Sequence, residues 1–313
     1  MKNNKAVGVD EVPIELLNYY ETEEVGKQIR AIMNNALNSG NVESILKDVR
    51  IKVLFKKGDK KDMNNYRGIS LISHGGKLLE RLIQNRLYEY VEEIGFLPES
   101  QNGFRQNRST IDSLFVSKML TSNAIAKKTK MYKCFVDLTK AYDKVNRRVL
   151  WMVLERIGVP QKMIRLIQNI HDGSKAKVKL ENGEETEEFD LEAGLKQGSV
   201  FAPLLFNIFF GAIIAWWKEK MQHRGIWYKY RLGYDLLLGI TKKVNNRSVN
   251  FDQVQELLFA DDQEIITMTE EEMQESLDLL DEATRVFGQE ISIVKTKVMV
   301  IGGEEDEETN IFI

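Results

Sequence analysis

Two adjacent carboxylates, Asp261 and Asp262, follow an apolar segment late in the chain. The residues on either side, 255–260 and 264–268, are typical of two short β-strands, which places the pair at the tip of a hairpin. Neighbouring carboxylates repel each other, so the pair requires either a bound proton or cations held by oxygen ligands. Mg²⁺ is the cation that we expect there.

A third carboxylate, Asp137, lies in the β-rich run Met131–Leu138, so the sequence places it near the end of another strand. Three carboxylates would complete a site for two Mg²⁺ ions about 3.5–4 Å apart, one activating a hydroxyl and one neutralising a leaving phosphate. The reaction indicated is phosphoryl or nucleotidyl transfer. An Asp-Asp pair on its own is also typical of turns and solvated surfaces, so this interpretation depends on the rest of the chain.

The composition is that of an ordinary globular protein, with 313 residues of which 43% are hydrophobic and 29% are charged. The single cysteine, Cys134, lies in an apolar run, which indicates a buried thiol in a reducing, intracellular compartment. No basic and apolar leader opens the chain, so secretion is not expected. The longest apolar run, Val200–Trp217, contains Pro203 and Asn207, and it predicts a buried helix without membrane association.

Charge is distributed unevenly along the chain, although the net charge is only −3. Residues 47–81 hold ten Lys and Arg against four Asp and Glu, whereas residues 270–308 hold three against thirteen. The first segment could bind phosphates and the second could not. Either segment is also compatible with a plain solvated face.

The elements that position these residues alternate between helices and short strands. Helical periodicity predicts helices over residues 13–38, 76–93, 109–127, 144–158, 160–171, 202–220 and 270–287. Strand patterns predict a hairpin over 176–191 and a last strand over 291–301. No repeat or Gly/Ser/Pro-rich linker divides the chain, so we expect one compact or two-lobed α+β fold.

The segment Phe259–Asp262 resembles the catalytic hairpin of reverse transcriptases, in particular those of non-LTR (LINE-like) retrotransposons. The segment Phe135–Val145 is similar to the first catalytic block of that family. This resemblance implies that Asp137 is a metal ligand and that Tyr142 excludes the ribose 2′-hydroxyl.

Other blocks of the same family are matched on either side. The segment Gly194–Asn207 is similar to the block that cradles the incoming nucleotide and the template base, which implies that role for Gln197 and Gly198. Segments 54–59 and 65–71 resemble the fingers blocks whose basic residues grip the triphosphate. The residues implied there are Lys57 and Arg67.

Two more blocks imply contacts with the template and with the leaving group. Segments 101–105 and 109–110 resemble a fingers block that lines the template path. The residues implied for template binding are Gln101, Gly103, Phe104 and Arg105. The segment Gly288–Lys297 resembles the block whose Lys protonates departing pyrophosphate, which implies Lys295; an exposed strand lysine is the alternative interpretation.

The resemblance extends over residues 1–302 and implies the fingers and palm of a right-hand polymerase, with an antiparallel palm sheet packed on helices and without a thumb. Residues 1–130 would form mainly the fingers, and residues 131–303 the palm, with a further fingers-like insertion at about 145–195. Residues 304–313 would be an acidic disordered tail.

The implied activity is that of an RNA-directed DNA polymerase core, which transfers deoxynucleotides to a primer 3′ end by a two-metal mechanism. Two Mg²⁺ ions would be bound by Asp137, Asp261 and Asp262. The implied partners are an RNA template, a DNA or RNA primer and deoxynucleoside triphosphates, in the cytoplasm or the nucleus.

Two departures from the family pattern leave an alternative open. Glu264 stands where the family has an apolar residue, near the metals or at a sheet edge, and Gly288–Ser292 lacks one apolar residue and one amide. The alternative is a catalytically inactive fragment that acts at most as a nucleic-acid-binding or scaffolding module. An RNA-dependent RNA polymerase is disfavoured by Tyr142, and a nucleotidyl cyclase would not need the fingers blocks around Arg67 and Arg105.

Overall fold

The structure, a computed structural model, describes residues 3–18, 23–180, 183–221, 225–231, 249–302 and 311–312. Most of the predicted acidic tail, residues 304–310, lies outside the described residues. So do residues 232–248, part of a hydrophobic, tyrosine-bearing stretch for which the sequence predicts no element.

The elements within the described residues follow the chain in this order. The helices are α1 (Ile14–Asn18), α2 (Glu23–Ser39), α3 (Ser44–Lys47), α4 (His74–Glu93), α5 (Thr110–Lys127), α6 (Arg147–Arg156), α7 (Gln161–His171), α8 (Ala202–Met221) and α9 (Glu270–Val286). The strands are β1 (Val49–Phe55), β2 (Tyr66–Ile72), β3 (Met131–Val136), β4 (Lys175–Lys179), β5 (Phe189–Asp190), β6 (Ile226–Arg231), β7 (Val249–Val254), β8 (Glu256–Phe259), β9 (Asp262–Thr267) and β10 (Lys297–Ile301).

The chain divides into two compact units, each built from two separated segments. Unit one comprises Met1–Leu97 and Lys140–Ala212, and unit two comprises Pro98–Thr139 and Ile213–Ile313. The residues of α8 are divided between the two units. The fingers and palm assignment follows other boundaries and stays a prediction.

Unit one contains a four-stranded sheet in the order β2-β1-β4-β5. Strands β1 and β2 are antiparallel, whereas β1 and β4 are parallel. In β1 apolar and cationic residues alternate, and this places Val49 in a buried cluster with Ile72 and Ala176. The sequence prediction contained neither β1 nor β2, although the alternation of Val49 to Val53 is a strand signal.

Helix α4 of unit one forms where its apolar stripe predicts a helix. Leu79, Ile83 and Leu87 are buried at the four-residue spacing of one helix face. The helix begins after Ser73, whose Oγ accepts a hydrogen bond from the Gly76 amide.

Unit two contains an antiparallel sheet in the order β10-β3-β9-β8. Helix α5 packs on this sheet through a cluster formed by Leu120, Ala124, Met131, Leu257, Ile266 and Ile301. Helix α9 packs against β3 and β9, and the Trp217 indole of α8 donates to the Ser276 carbonyl.

Several sequence predictions can be compared with these elements. Residues Phe201 to Trp217 are largely buried, which confirms the buried-helix prediction, and Cys134 is also fully buried. No helix in the part of the chain that the structure describes has the length and apolarity needed to cross a bilayer. The last strand begins at Lys297 and not at Ile291, because the Ser292 carbonyl accepts from two later amides and closes a turn.

Candidate active site

The predicted acidic hairpin is present in unit two. Strands β8 and β9 are joined by the two-residue turn Ala260-Asp261, and Asp262 is the first residue of β9, opposite Phe259. Asp137 directly follows β3, which pairs with β9. Because two neighbouring strands carry them, Asp137 and the Asp261-Asp262 pair lie at the same end of the sheet.

The three carboxylates interact electrostatically. Burial raises the pKa of Asp262, and the negative charges of Asp261 and Asp137 raise it further, while Lys295 acts in the opposite direction. The Lys295 ammonium donates to Asp137 Oδ1 at 2.8 Å. The four residues predicted to be catalytic are therefore gathered in one place.

The donor set fits a hard divalent cation, because it offers carboxylate oxygens and an excess of negative charge. Among the residues that the structure describes, no three His, Cys, Asp or Glu side chains form a ready metal cage. The ammonium of Lys295 bonds to Asp137 in this arrangement, so a cation bound by Asp137 would compete with it.

A cavity of about 300 Å³ lies beside the carboxylates, lined among others by Asp137, Asp262, Glu264 and Lys295. Glu264 is on β9, an interior strand of the sheet, so it does not lie at an edge. Its carboxylate forms a 2.7 Å ion pair with Lys133 Nζ, and the two side chains are 11% and 3% exposed. Its negative charge is therefore balanced by a buried partner.

The four residues predicted to bind template lie in the segment before α5, in unit two. Gln101 and Gly103 are buried, and both contact the hairpin turn at Ala260. Arg105 donates to the Pro98 carbonyl at 3.0 Å, while Phe104 is 55% exposed. Phe104 is therefore the most exposed of these four residues, and template binding stays a prediction for all of them.

Two of the residues predicted to bind the triphosphate lie on the β1–β2 hairpin of unit one. Lys57 follows β1, Arg67 is on β2, and both side chains are exposed. Leu54 is paired with Arg67 in the hairpin. The basic segment of residues 47–81 therefore presents two exposed cations on this hairpin.

The other predicted nucleotide-binding residues also lie in unit one. The ring of Tyr142 stacks on Phe206 with centroids 4.5 Å apart. The Ser70 amide donates to the Gln197 carbonyl at 2.6 Å. Gly198 has a φ of +116°, and a Cβ added there would lie 2.5 Å from the Ser70 carbonyl oxygen, so a side chain is excluded. Ser70 is on the same strand as Arg67, so the structure brings this loop to the arginine-bearing strand.

Sequence reasoning missed the buried charges that support this loop. Glu80 accepts from Ser199 Oγ at 3.0 Å and from the Val200 amide at 2.7 Å, and burial raises the pKa of Glu80 to about 7. Lys196 donates to two carbonyls, and burial lowers its pKa to about 8. Arg147 donates to the Gly194 carbonyl at 2.8 Å. The available signal was the spacing of Glu80, which falls on the apolar stripe of its helix.

The sequence matches the family model of reverse transcriptases (RNA-dependent DNA polymerases) over residues 56–311. The RNA-directed DNA polymerase from mobile element jockey of Drosophila funebris is 32% identical over 179 residues, which are 57% of this chain and 19% of that protein. The Pol polyprotein from the type-1 retrotransposable element R2 of Popillia japonica is 27% identical over 172 residues, 54% of this chain and 23% of that protein. The chain spans about a fifth of the length of these curated relatives.

Solved structures of telomerase share the fold. The apo enzyme of Candida tropicalis, truncated from its C-terminal domain, superposes with a TM-score of 0.56 and 13% identity, covering 92% of this chain and 57% of that one. Telomerase from Candida albicans, in complex with a fragment of telomeric RNA, gives a TM-score of 0.57 and 11% identity over 88% of this chain and 46% of that one. This likeness concerns the fold alone and confirms the predicted right-hand polymerase class.

The motifs predicted a relative of non-LTR retrotransposon polymerases, and the jockey and R2 relatives confirm that prediction. Because the family model spans most of its length, this chain belongs to the reverse transcriptase family.

Proposed function

We propose that this chain is an RNA-directed DNA polymerase core that adds deoxynucleotides to a primer 3′ end on an RNA template. The observation that carries the proposal is the convergence of Asp137 with Asp261 and Asp262, where burial and the charges of the two neighbouring carboxylates raise the pKa of Asp262. Carboxylates held together in this way favour a bound cation over three uncompensated charges.

Two Mg²⁺ ions held by these three carboxylates would activate the primer hydroxyl and neutralise the leaving pyrophosphate. Lys295 lies 2.8 Å from Asp137 and keeps an ammonium proton at the edge of the site. We propose that this ammonium leaves Asp137 when cations bind and then donates its proton to the pyrophosphate.

We assign the nucleotide-binding roles to residues that lie in unit one. Lys57 and Arg67 offer exposed cations to the triphosphate, and the planar fork of Arg matches phosphate oxygens. Tyr142, held by stacking on Phe206, would exclude a ribose 2′-hydroxyl. The loop at Gln197 and Gly198 would receive the incoming nucleotide.

The proposal also includes the division of the chain into fingers and palm. We assign residues 1–130 mainly to the fingers and residues 131–303 to the palm, with the fingers-like insertion at about 145–195. The antiparallel sheet that bears the three carboxylates supports the palm assignment.

The test is primer extension by the purified chain on a primed RNA template with Mg²⁺ and low salt. Asp261→Asn together with Asp262→Asn should lower the extension rate by at least about a hundredfold, because the main charge of the site is removed. Asp278→Asn, an exposed carboxylate on α9, is the matched control and should leave the rate unchanged. Equal rates for the wild-type chain and the double variant would disprove the enzymatic proposal.

One observation keeps the inactive module as a second candidate. Lys295 is bonded to Asp137, and the residues that the structure describes contain no ready three-ligand cage. If this candidate holds, the wild-type chain binds primed RNA in a gel-shift assay but extends no primer. Binding that weakens steeply with salt would show that phosphate contacts supply its affinity.

A further inference from the structure

The turn that carries the carboxylate pair has an unusual backbone. Ala260 has a φ of +59°, in the left-handed region that usually selects glycine. An alanine held there is strained, so neighbouring groups must stabilise the conformation.

Gln101 provides that stabilisation. Its Oε1 accepts a hydrogen bond from the Ala260 amide at 2.8 Å, and its Nε2 donates to the Ala260 carbonyl at 3.1 Å. The side chain is therefore bonded to both polar backbone atoms of the strained residue. Gln101 is only 1% exposed, so water cannot readily replace these bonds.

The backbone around Gln101 fixes the position of its side chain. The Leu258 amide donates to the Ser100 carbonyl, and the Asn102 amide donates to the Leu258 carbonyl, so Gln101 forms an isolated parallel β-bridge with Leu258 of β8. The amide of Gly103 donates to Gln101 Oε1 at 2.8 Å. The same oxygen thus accepts from two amides, which orients the side-chain amide of Gln101.

Gly103 is required by the same contact. A Cβ added at this position would lie 2.2 Å from the Ala260 nitrogen, which is closer than non-bonded atoms approach each other. A side chain at position 103 would therefore displace the turn, even though Gly103 itself carries no chemistry.

We propose that Gln101 and Gly103 are positioning residues for the catalytic hairpin, a proposal that rests on the polymerase function proposed above. By holding Ala260 in its left-handed conformation, they fix the backbone of the turn and therefore the positions of the Asp261 and Asp262 carboxylates. Neither residue touches substrate in this role. Gln101 acts through the backbone of Ala260.

The test compares Gln101→Ala with Thr267→Ala, an equally buried polar residue at the other end of β9, whose Oγ1 donates to the Thr269 carbonyl. Gln101→Ala should lower kcat for single-nucleotide addition by about a hundredfold, because a small displacement of the carboxylates misplaces the reacting groups. KM for the deoxynucleotide should stay within about threefold of the wild-type value, since no nucleotide contact is lost. Gly103→Ala should reproduce this split, and Thr267→Ala should leave kcat within about threefold of the wild-type value.

Amide hydrogen exchange at Ala260 gives a readout that does not depend on activity. In Gln101→Ala this amide should exchange at least about tenfold faster, while the amides of α9 keep their protection. A kcat that falls as much in Thr267→Ala as in Gln101→Ala would overturn the positioning role, because a loss of stability alone would then explain both. If the wild-type chain extends no primer, the proposed function fails by itself. The exchange rate of the Ala260 amide still tests the positioning role in that case, and unchanged protection in Gln101→Ala would overturn it.

Discussion

Glu264 departs from the family pattern and forms a buried ion pair with Lys133. The contribution of this pair to the free energy of unfolding can be measured directly. Glu264→Leu restores the apolar residue that the family usually has, but it leaves the ammonium of Lys133 buried without a carboxylate. Breaking a buried ion pair by removing one partner costs about 3–5 kcal/mol. Lys133 keeps two acceptors, Oγ and the carbonyl of Ser117, at 2.7 and 3.1 Å. We therefore expect a loss near the lower limit, about 3 kcal/mol.

The assay is urea-induced unfolding of four proteins: the wild-type chain, Glu264→Leu, Lys133→Met and the double variant. Each single variant strands one buried charge, whereas the double variant strands none and should unfold within about 1 kcal/mol of the wild-type chain. The matched control is the exposed pair between Lys220 and Glu282, with nitrogen and oxygen 2.9 Å apart. Glu282→Gln should cost at most about 0.5 kcal/mol.

Two results would refute this reasoning. If Glu264→Leu costs no more than Glu282→Gln, then the charge of Lys133 does not depend on its partner. If the losses of the two single variants simply add in the double variant, the pair is not coupled and another interaction explains the single losses.

Three further predictions concern single positions in unit one. Burial raises the pKa of Glu80 from 4.5 to about 7, so between these pH values the native state binds more protons than the unfolded state. The free energy of unfolding of the wild-type chain, measured relative to Glu80→Gln, should therefore fall by up to about 3 kcal/mol as the pH rises through this range. A free energy of unfolding that rises there would contradict the raised pKa. Gly198→Ala should destabilise unit one by at least about 2 kcal/mol in thermal unfolding, whereas Gly95→Ala, also at positive φ but with open space around it, should cost about 1 kcal/mol. Tyr142→Ala should raise ribonucleotide incorporation relative to deoxynucleotide incorporation by about tenfold in a primer-extension assay, and an unchanged ratio would remove Tyr142 from sugar selection.

The acidic hairpin was predictable because local signals agree there. Short apolar runs on either side of the acidic pair indicate the two strands, and the family motif places Asp261 and Asp262 between them. The same holds for the apolar stripe of α4 and for the buried run that became α8. In each case neighbouring residues in the sequence determine the element.

The supporting contacts were not predictable, because they join residues that are distant in sequence. Glu264 looked like an uncompensated charge until the sheet placed Lys133 beside it. Gln101 matched a template-binding motif, yet its side chain is bonded to the backbone of Ala260. Charged side chains such as Glu80 are usually exposed, so composition gave no reason to expect burial.

The parallel pairing of β1 with β4 bears on how the chain folds during synthesis. Strands β1 and β2 leave the ribosome as a hairpin long before β4 is made, and until then one edge of β1 has no partner within this sheet. Exposed strand edges are sites of intermolecular pairing in nascent and newly released chains. A translation product that ends before residue 175 would keep that edge open permanently. Termination before residue 175 should therefore yield polypeptides that aggregate, and chaperones would have to prevent the same aggregation in the growing chain.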